Sequence, residues 1–261
     1  MLLNESNLPS KTKPYRVKEF EMVTFRPKQL SLMSKAVQLS SMEPVIEAMS
    51  QVLTGIDAKE LTVGDFFYLL TIQRLTCFKR RPLYAEWNCS GAVFYAIGSH
   101  ERYTPLEVHE LATSWELADE EQRKTMEDPD EVSLEGALCG HANYEELGES
   151  DFRTIFLKAE QEMDADMDYP RVKHLEEFLQ LQQDPELGLI IEACQYIKEG
   201  ETLQDKVNLL MDGEDMDFYD RLNVATTQYV HGVSREVLKP CTSCGSRHSI
   251  IYTVDAQSFF L

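Results

Sequence analysis

The stretch CTSCGSRHSIIYTV, Cys241–Val254, places two cysteines on a tight turn and runs straight into β-prone residues. Two thiolates at C-x-x-C spacing can face one tetrahedral ion from a single turn, and Gly245 frees the backbone to make that turn. A redox pair at this spacing would sit at a helix N-terminus, where the dipole lowers a thiol pKa. The β-run that follows predicts a ribbon-type knuckle instead. A structural ion needs two more ligands. Cys89, ending the strand-like YAEWNC, is the first choice for a third and Cys139 for a fourth, with His141, His248 and Cys77 behind them. Structural zinc and plain reduced thiols both fit this pattern, because the second half of the site is scattered and is not another C-x-x-C.

Outward from the knuckle, the chain has 261 residues, enough to bury roughly three quarters of its unfolded surface without disulfides. The opening MLLNESNLPSKTKPY lacks the charged-then-apolar pattern of a signal peptide, and the longest apolar run, FFYLLTI, is too short to cross a bilayer. A cytosolic location is therefore expected, where six cysteines are reduced or metal-bound. The net charge of −20, from 45 acidic and 25 basic residues, repels phosphate backbones and argues against nucleic acid as a partner. Much of the acid lies in residues 115–168, which read as a solvated insertion.

Residues 1–22 are polar and proline-containing, and predict an extended arm, with FEMVTF as a short strand at its end. Leu30, Met33 and Val37, then Ile46, Met49 and Leu53, carry helical spacing. Thr62 and Asp65 stand as a capping box before the helix of LTVGDFFYLLTIQRL. PLYAEWNC, AVFYAI and PLEVHEL predict a central sheet. Helices are expected again through Phe152, Ile155, Phe156 and Ala159, and through Leu175, Phe178 and Leu179. Another is expected behind Asp184-Pro185 with the stripe Leu187, Ile190, Ile191, Cys194 and Ile197, then behind Thr202/Asp205, and last through Phe218, Leu222, Ala225 and Tyr229. The fold class expected is α+β, mainly helical, with a small central antiparallel sheet and a zinc-ribbon-like knuckle near the C-terminus. Residues 23–261 are expected to form one domain.

Motifs that would carry chemistry fail on inspection. VHELATSW starts like a zinc-protease helix, but Thr113 stands where the second histidine belongs. Asp164, Asp166 and Asp168 have calcium-loop spacing, yet Tyr169 replaces the turn glycine and Leu175 the closing glutamate. Cys139-Gly140-His141 suggests a thiol and base only by adjacency. No catalytic residue, small-molecule substrate or membrane insertion is expected.

The arm LPSKTKPY resembles the LPS-[KR]-G-x-x-Y opening of the T-even-type baseplate hub-assembly proteins of contractile phage tails. MVTFRP is similar to the short strand ending in RP that follows there, and LTVGDFFYLLTIQRL to their LTxGDRxFLLxxIR helix. CTSCG, the next strand and the final SFF match their closing knuckle and aromatic end. Where that family carries a first C-P-x-C-G, this chain carries WNCSG. The resemblance implies a non-enzymatic structural or assembly component of a tail baseplate, made in the host cytoplasm and built into the virion. Its partners would be other tail or baseplate proteins. A tail-assembly chaperone absent from the finished particle, or a cytosolic enzyme with a cysteine/histidine site, are the alternatives.

Overall fold

The computed structural model describes residues 1–96, 102–103, 107, 110, 114, 117–123, 134–158, 162–188, 190–213 and 215–260. The chain divides into two compact units. One comprises Met1–Pro82, Phe152–Ser234 and Thr253–Leu261; the other comprises Leu83–Asp151 and Arg235–Tyr252. Helices and small antiparallel sheets make the fold mixed α/β. Among the described residues no helix is long and apolar enough to cross a membrane.

In the first unit, Pro27 opens the helix Pro27–Leu39, and Ser40 closes it in the left-handed conformation. The next helix, Glu43–Ser50, buries Val45, Ile46, Ala48 and Met49, and Met22 pairs with Leu53 in the adjoining three-stranded sheet. Helix Val63–Cys77 starts where the Thr62 hydroxyl accepts the Asp65 N–H. It buries Phe66, Leu69 and Leu70 with Gln73 and Arg74. Gly64 is required at its start. A Cβ there would lie 2.3 Å from the His231 carbonyl oxygen, so the chain passes backbone against backbone.

The N-terminal segment departs from the expected extended arm. Residues 5–14 wind through successive turns, and Leu8, Ser10, Thr12 and Tyr15 are buried. The physical reason is Asp65, which is fully buried at the helix start. Its carboxylate accepts from the Ser10 N–H at 3.0 Å and the Tyr15 hydroxyl at 2.5 Å. Tyr15 in turn accepts the Thr62 N–H at 2.9 Å. A segment too polar to collapse by itself is thus anchored at a carboxylate that needs donors. The Leu157 N–H on the Pro9 carbonyl, Arg171 on the Pro14 carbonyl and the buried Leu8 hold it as well.

Further along this unit, helix Leu203–Met211 carries the reciprocal Thr202/Asp205 box that its sequence predicts. Helix Met216–Gln228 presents Leu222 and Ala225 to the core, with Tyr229 buried just after it. Two expected helices differ. Thr154–Ile155 forms a strand paired with Gly232–Val233, and Phe156 is exposed; Ala159 lies outside the described residues. Behind Asp184-Pro185 the described residues make turns before the short helix Ile191–Cys194, and Ile197 instead bridges Met167.

His174, on a short 3-10 turn here, is 6% exposed. Burial pushes its imidazole down to about 4, and Lys206 and Lys173 push the same way. Above the usual value of 6.5 both folded and unfolded states are neutral, so its titration adds no pH dependence to stability there. Below it, the unfolded chain takes up a proton that the folded chain refuses until about 4, and stability falls across that window. His174→Gln is expected to flatten this part of the acid limb in denaturant titrations. An unchanged limb would mean the imidazole protonates normally in the folded protein.

Among the described residues, the second unit is built of short ladders and not of one central sheet. Leu83–Asn88 pairs with Ala142–Leu147, Ala92–Ala96 pairs with Leu134–Leu138 and with Arg102–Tyr103, and Glu236–Pro240 pairs with Arg247–Ile251. The strand expected for PLEVHEL lies outside the described residues, apart from Glu107 and Glu110. Of the acidic stretch, residues 134–138 and 142–147 are strands of this unit. They supply sheet partners and do not form a solvated excursion. Residues 124–133 lie outside the described residues.

Candidate metal centre

Three hairpin-like turns of the second unit converge on one point. Cys89 follows the strand Leu83–Asn88, and Cys139 follows Leu134–Leu138. These two turns are tied to each other: Cys89 N–H donates to the His141 carbonyl at 2.9 Å, Cys139 N–H to Gly91 at 2.8 Å, and Gly140 N–H to Cys89 at 3.0 Å. The third turn carries Cys241 and Cys244 between the last two strands. It is closed by Cys241 N–H to Ser246 and Gly245 N–H to Cys241, with Gly245 at φ +73°. Only a residue tolerant of that left-handed backbone closes the knuckle without strain.

Cys89, Cys139, Cys241 and Cys244 place their sulfurs within 4.8 Å of one another, and all but Cys139 are buried. The sulfurs of Cys89 and Cys244 are 3.5 Å apart, those of Cys139 and Cys241 3.9 Å. A tetrahedron of thiolates about 2.3 Å from zinc has an edge of about 3.8 Å, between those two separations. Cys241 and Cys244, the pair nominated by spacing, and Cys89 and Cys139, the first choices for third and fourth ligand, are thus brought together from three separate segments.

Donors surround the sulfurs as a thiolate cluster requires. Gly91 N–H points at the Cys89 sulfur at 3.3 Å, Ser243 N–H at Cys241 at 3.4 Å, and the Asn143 amide at Cys241 at 3.6 Å. Burial pushes the Cys241 thiol up, but the Ser243, Cys244 and Asn143 donors outweigh it and bring the group to about 6. Burial raises Cys139 too, as does the Cys241 thiol, yet the His141 backbone N–H and the Cys244 and Cys89 thiols bring it below its ordinary value. At Cys89 burial acts together with the Cys244, Cys241 and Cys139 thiols and pushes the group up, to about 12, so this thiol keeps its proton while no cation is bound. A bound cation would displace that proton and neutralise part of the thiolate charge.

The reserve candidates sit differently. His248 Nε2 is 3.1 Å from the Cys89 sulfur, a hydrogen-bond neighbour of the cluster. His141 contributes its backbone only, and its side chain is exposed. Cys77 belongs to the other unit, with its thiol directed at the Phe25 carbonyl and the Gln73 amide oxygen. Cys194 is a core residue. Asp164 and Asp166 are ion-paired with Arg221, and Asp168 with Arg171, so the calcium-spaced aspartates serve as salt-bridge partners. The residue that sequence reading missed is Asn143. It is 1% exposed and holds the turn by accepting from the Thr242 N–H and hydroxyl while donating to His141 and Cys241. An asparagine inside a strand carries no signal for such a role.

No family model, no curated protein and no solved structure matches this chain.

Proposed function

We propose that the four cysteines hold one structural zinc ion in a zinc-ribbon-like knuckle, and that the chain is a non-enzymatic structural or assembly component of a contractile phage tail baseplate. The observation that carries this reading is the closed set of four sulfurs. A cation there has all four positions filled by protein, with none left for a substrate or a hydrolytic water. Zinc in such a set supplies folding energy and cross-links the three turns. Cys139, the thiol of the alternative cysteine/histidine enzyme, is one of these four sulfurs. The resemblance of the LPSKTKPY, LTVGD and CTSCG segments to baseplate hub-assembly proteins supplies the biological setting, with the virion tail as its place and tail proteins as its partners.

The test is mass spectrometry of tails purified from the phage that encodes this chain. A component is expected at a fixed ratio to the other baseplate proteins. Tails that contain none of it, yet fail to form when its gene is removed, would shift the reading to an assembly chaperone. Normal infectious tails formed without the gene would sink both.

A further inference from the structure

On the ladder of Leu83–Asn88 with Ala142–Leu147, the residues Tyr84, Glu86, Tyr144 and Glu146 all lie on the exposed face. The register sets Tyr84 opposite Glu146 and Glu86 opposite Tyr144, so rings and carboxylates alternate like the squares of a board. The two rings stack with centroids 4.7 Å apart and 9° between their planes. Even so, Tyr84 is 42% and Tyr144 66% exposed, so each ring keeps one face open. Lys239 of the same unit is engaged elsewhere: it pairs with the carboxylates of Glu145 and Asp151 and donates to the Glu146 carbonyl. Among the described residues no ion pair engages the carboxylates of Glu86 or Glu146.

We propose that this face docks an arginine side chain presented by a partner protein. A guanidinium can lie flat on an open tyrosine ring while its fork donates to a neighbouring carboxylate, and both groups stand here side by side. Lysine offers no planar fork, and a phosphate group is repelled by the two glutamates and by the net charge of −20. The same net charge draws a basic partner toward the molecule from a distance, and the platform then fixes its orientation. The proposal rests on the reading of the chain as an interaction protein, but not on the metal, so each can fail alone.

The test is fluorescence anisotropy at low salt with a labelled arginine–glycine–serine peptide. Its control is the same peptide with citrulline, which keeps the shape and removes the charge. Binding of the arginine peptide is expected, weaker by at least about tenfold for citrulline. Tyr144→Ala should cost about fivefold and the pair Glu86→Gln with Glu146→Gln about tenfold, while Glu199→Gln with Asp212→Asn, in the other unit, should stay within about twofold. All these positions except the stacked ring edge are solvent-facing, and unchanged thermal melting of each variant confirms folding. Equal binding of citrulline, equal loss in the distant control, or no binding of the arginine peptide overturns the proposal. Self-association of the chain that Tyr144→Ala abolishes would overturn it in favour of a second copy as occupant.

Discussion

Cys241→Ser is expected to abolish zinc binding and to unfold the unit of Leu83–Asp151 and Arg235–Tyr252 ahead of the other. The buried apolar set around the cluster is small, Val93 with the cysteines themselves, and the unit's other buried hydrophobics include Leu83, Ala85, Leu147 and Val237. Burying a side chain of that size yields about 1.5–3 kcal/mol, whereas a structural zinc supplies on the order of 10 kcal/mol. A zinc ion held by these cysteines would therefore dominate the stability of this unit. Elemental analysis of the purified protein should give one zinc per chain, none in Cys241→Ser or Cys244→Ser, and full occupancy in Cys77→Ser, whose thiol lies in the other unit. Hydrogen exchange should show the amides of 83–88 and 142–147 losing protection in the two knuckle variants. Protection that survives without zinc would mean that the ladders stand unaided and the thiols are merely packed.

Asp65→Ala should be strongly damaging to the other unit. It strips the acceptor from the Ser10 N–H and the Tyr15 hydroxyl, both buried, and leaves the start of the Val63–Cys77 helix without its anchor. Stranding buried donors costs about 1–3 kcal/mol each, so a loss of roughly 3 kcal/mol is expected in denaturant unfolding. Residues 5–14 should become the first site of limited proteolysis. Asp65→Asn keeps one acceptor oxygen and should lose about half as much. A loss below about 1 kcal/mol for the alanine variant would show that the turns hold themselves.

Local signals in the sequence carry through where a helix depends on its own neighbours. Thr202 and Asp205 cap each other as their spacing predicts, and the Leu222, Ala225 and Tyr229 stripe lies inward. The Thr62/Asp65 spacing is realised only by half. Thr62 caps the helix, but the Asp65 carboxylate turns away to residues some fifty positions earlier, a long-range use that spacing cannot show. Phe152 and Ile155 are spaced for a helix, yet Thr154–Ile155 finds a strand partner in Gly232–Val233, and tertiary pairing outweighs propensity. Behind Pro185, Gly188 interrupts the stripe, and Leu187 packs against the core from a turn. The four cysteines were legible because thiolate chemistry restricts the choice to few residues. The division of the chain into two units was not, since 83–96 and 235–252 carry the same strand-forming composition as any β-segment of a single domain.

The cysteine centre also has a place in time. Its ligands arrive from the ribosome in the order 89, 139, then 241 and 244, and the Cys139–Cys241 contact closes a gap of 102 residues. At about 5–20 residues per second, the first two thiols wait at least several seconds for the knuckle that completes their site. During that interval they offer only half a coordination sphere, open to oxidants and to looser metal capture. The Phe152–Ser234 span that separates the ligands must have emerged, and with it most of the helical unit, before the last strand can fold back. Loading of the proposed zinc would therefore be a closing step of synthesis, and scarcity of the ion would trap chains with one unit built and the other unfinished.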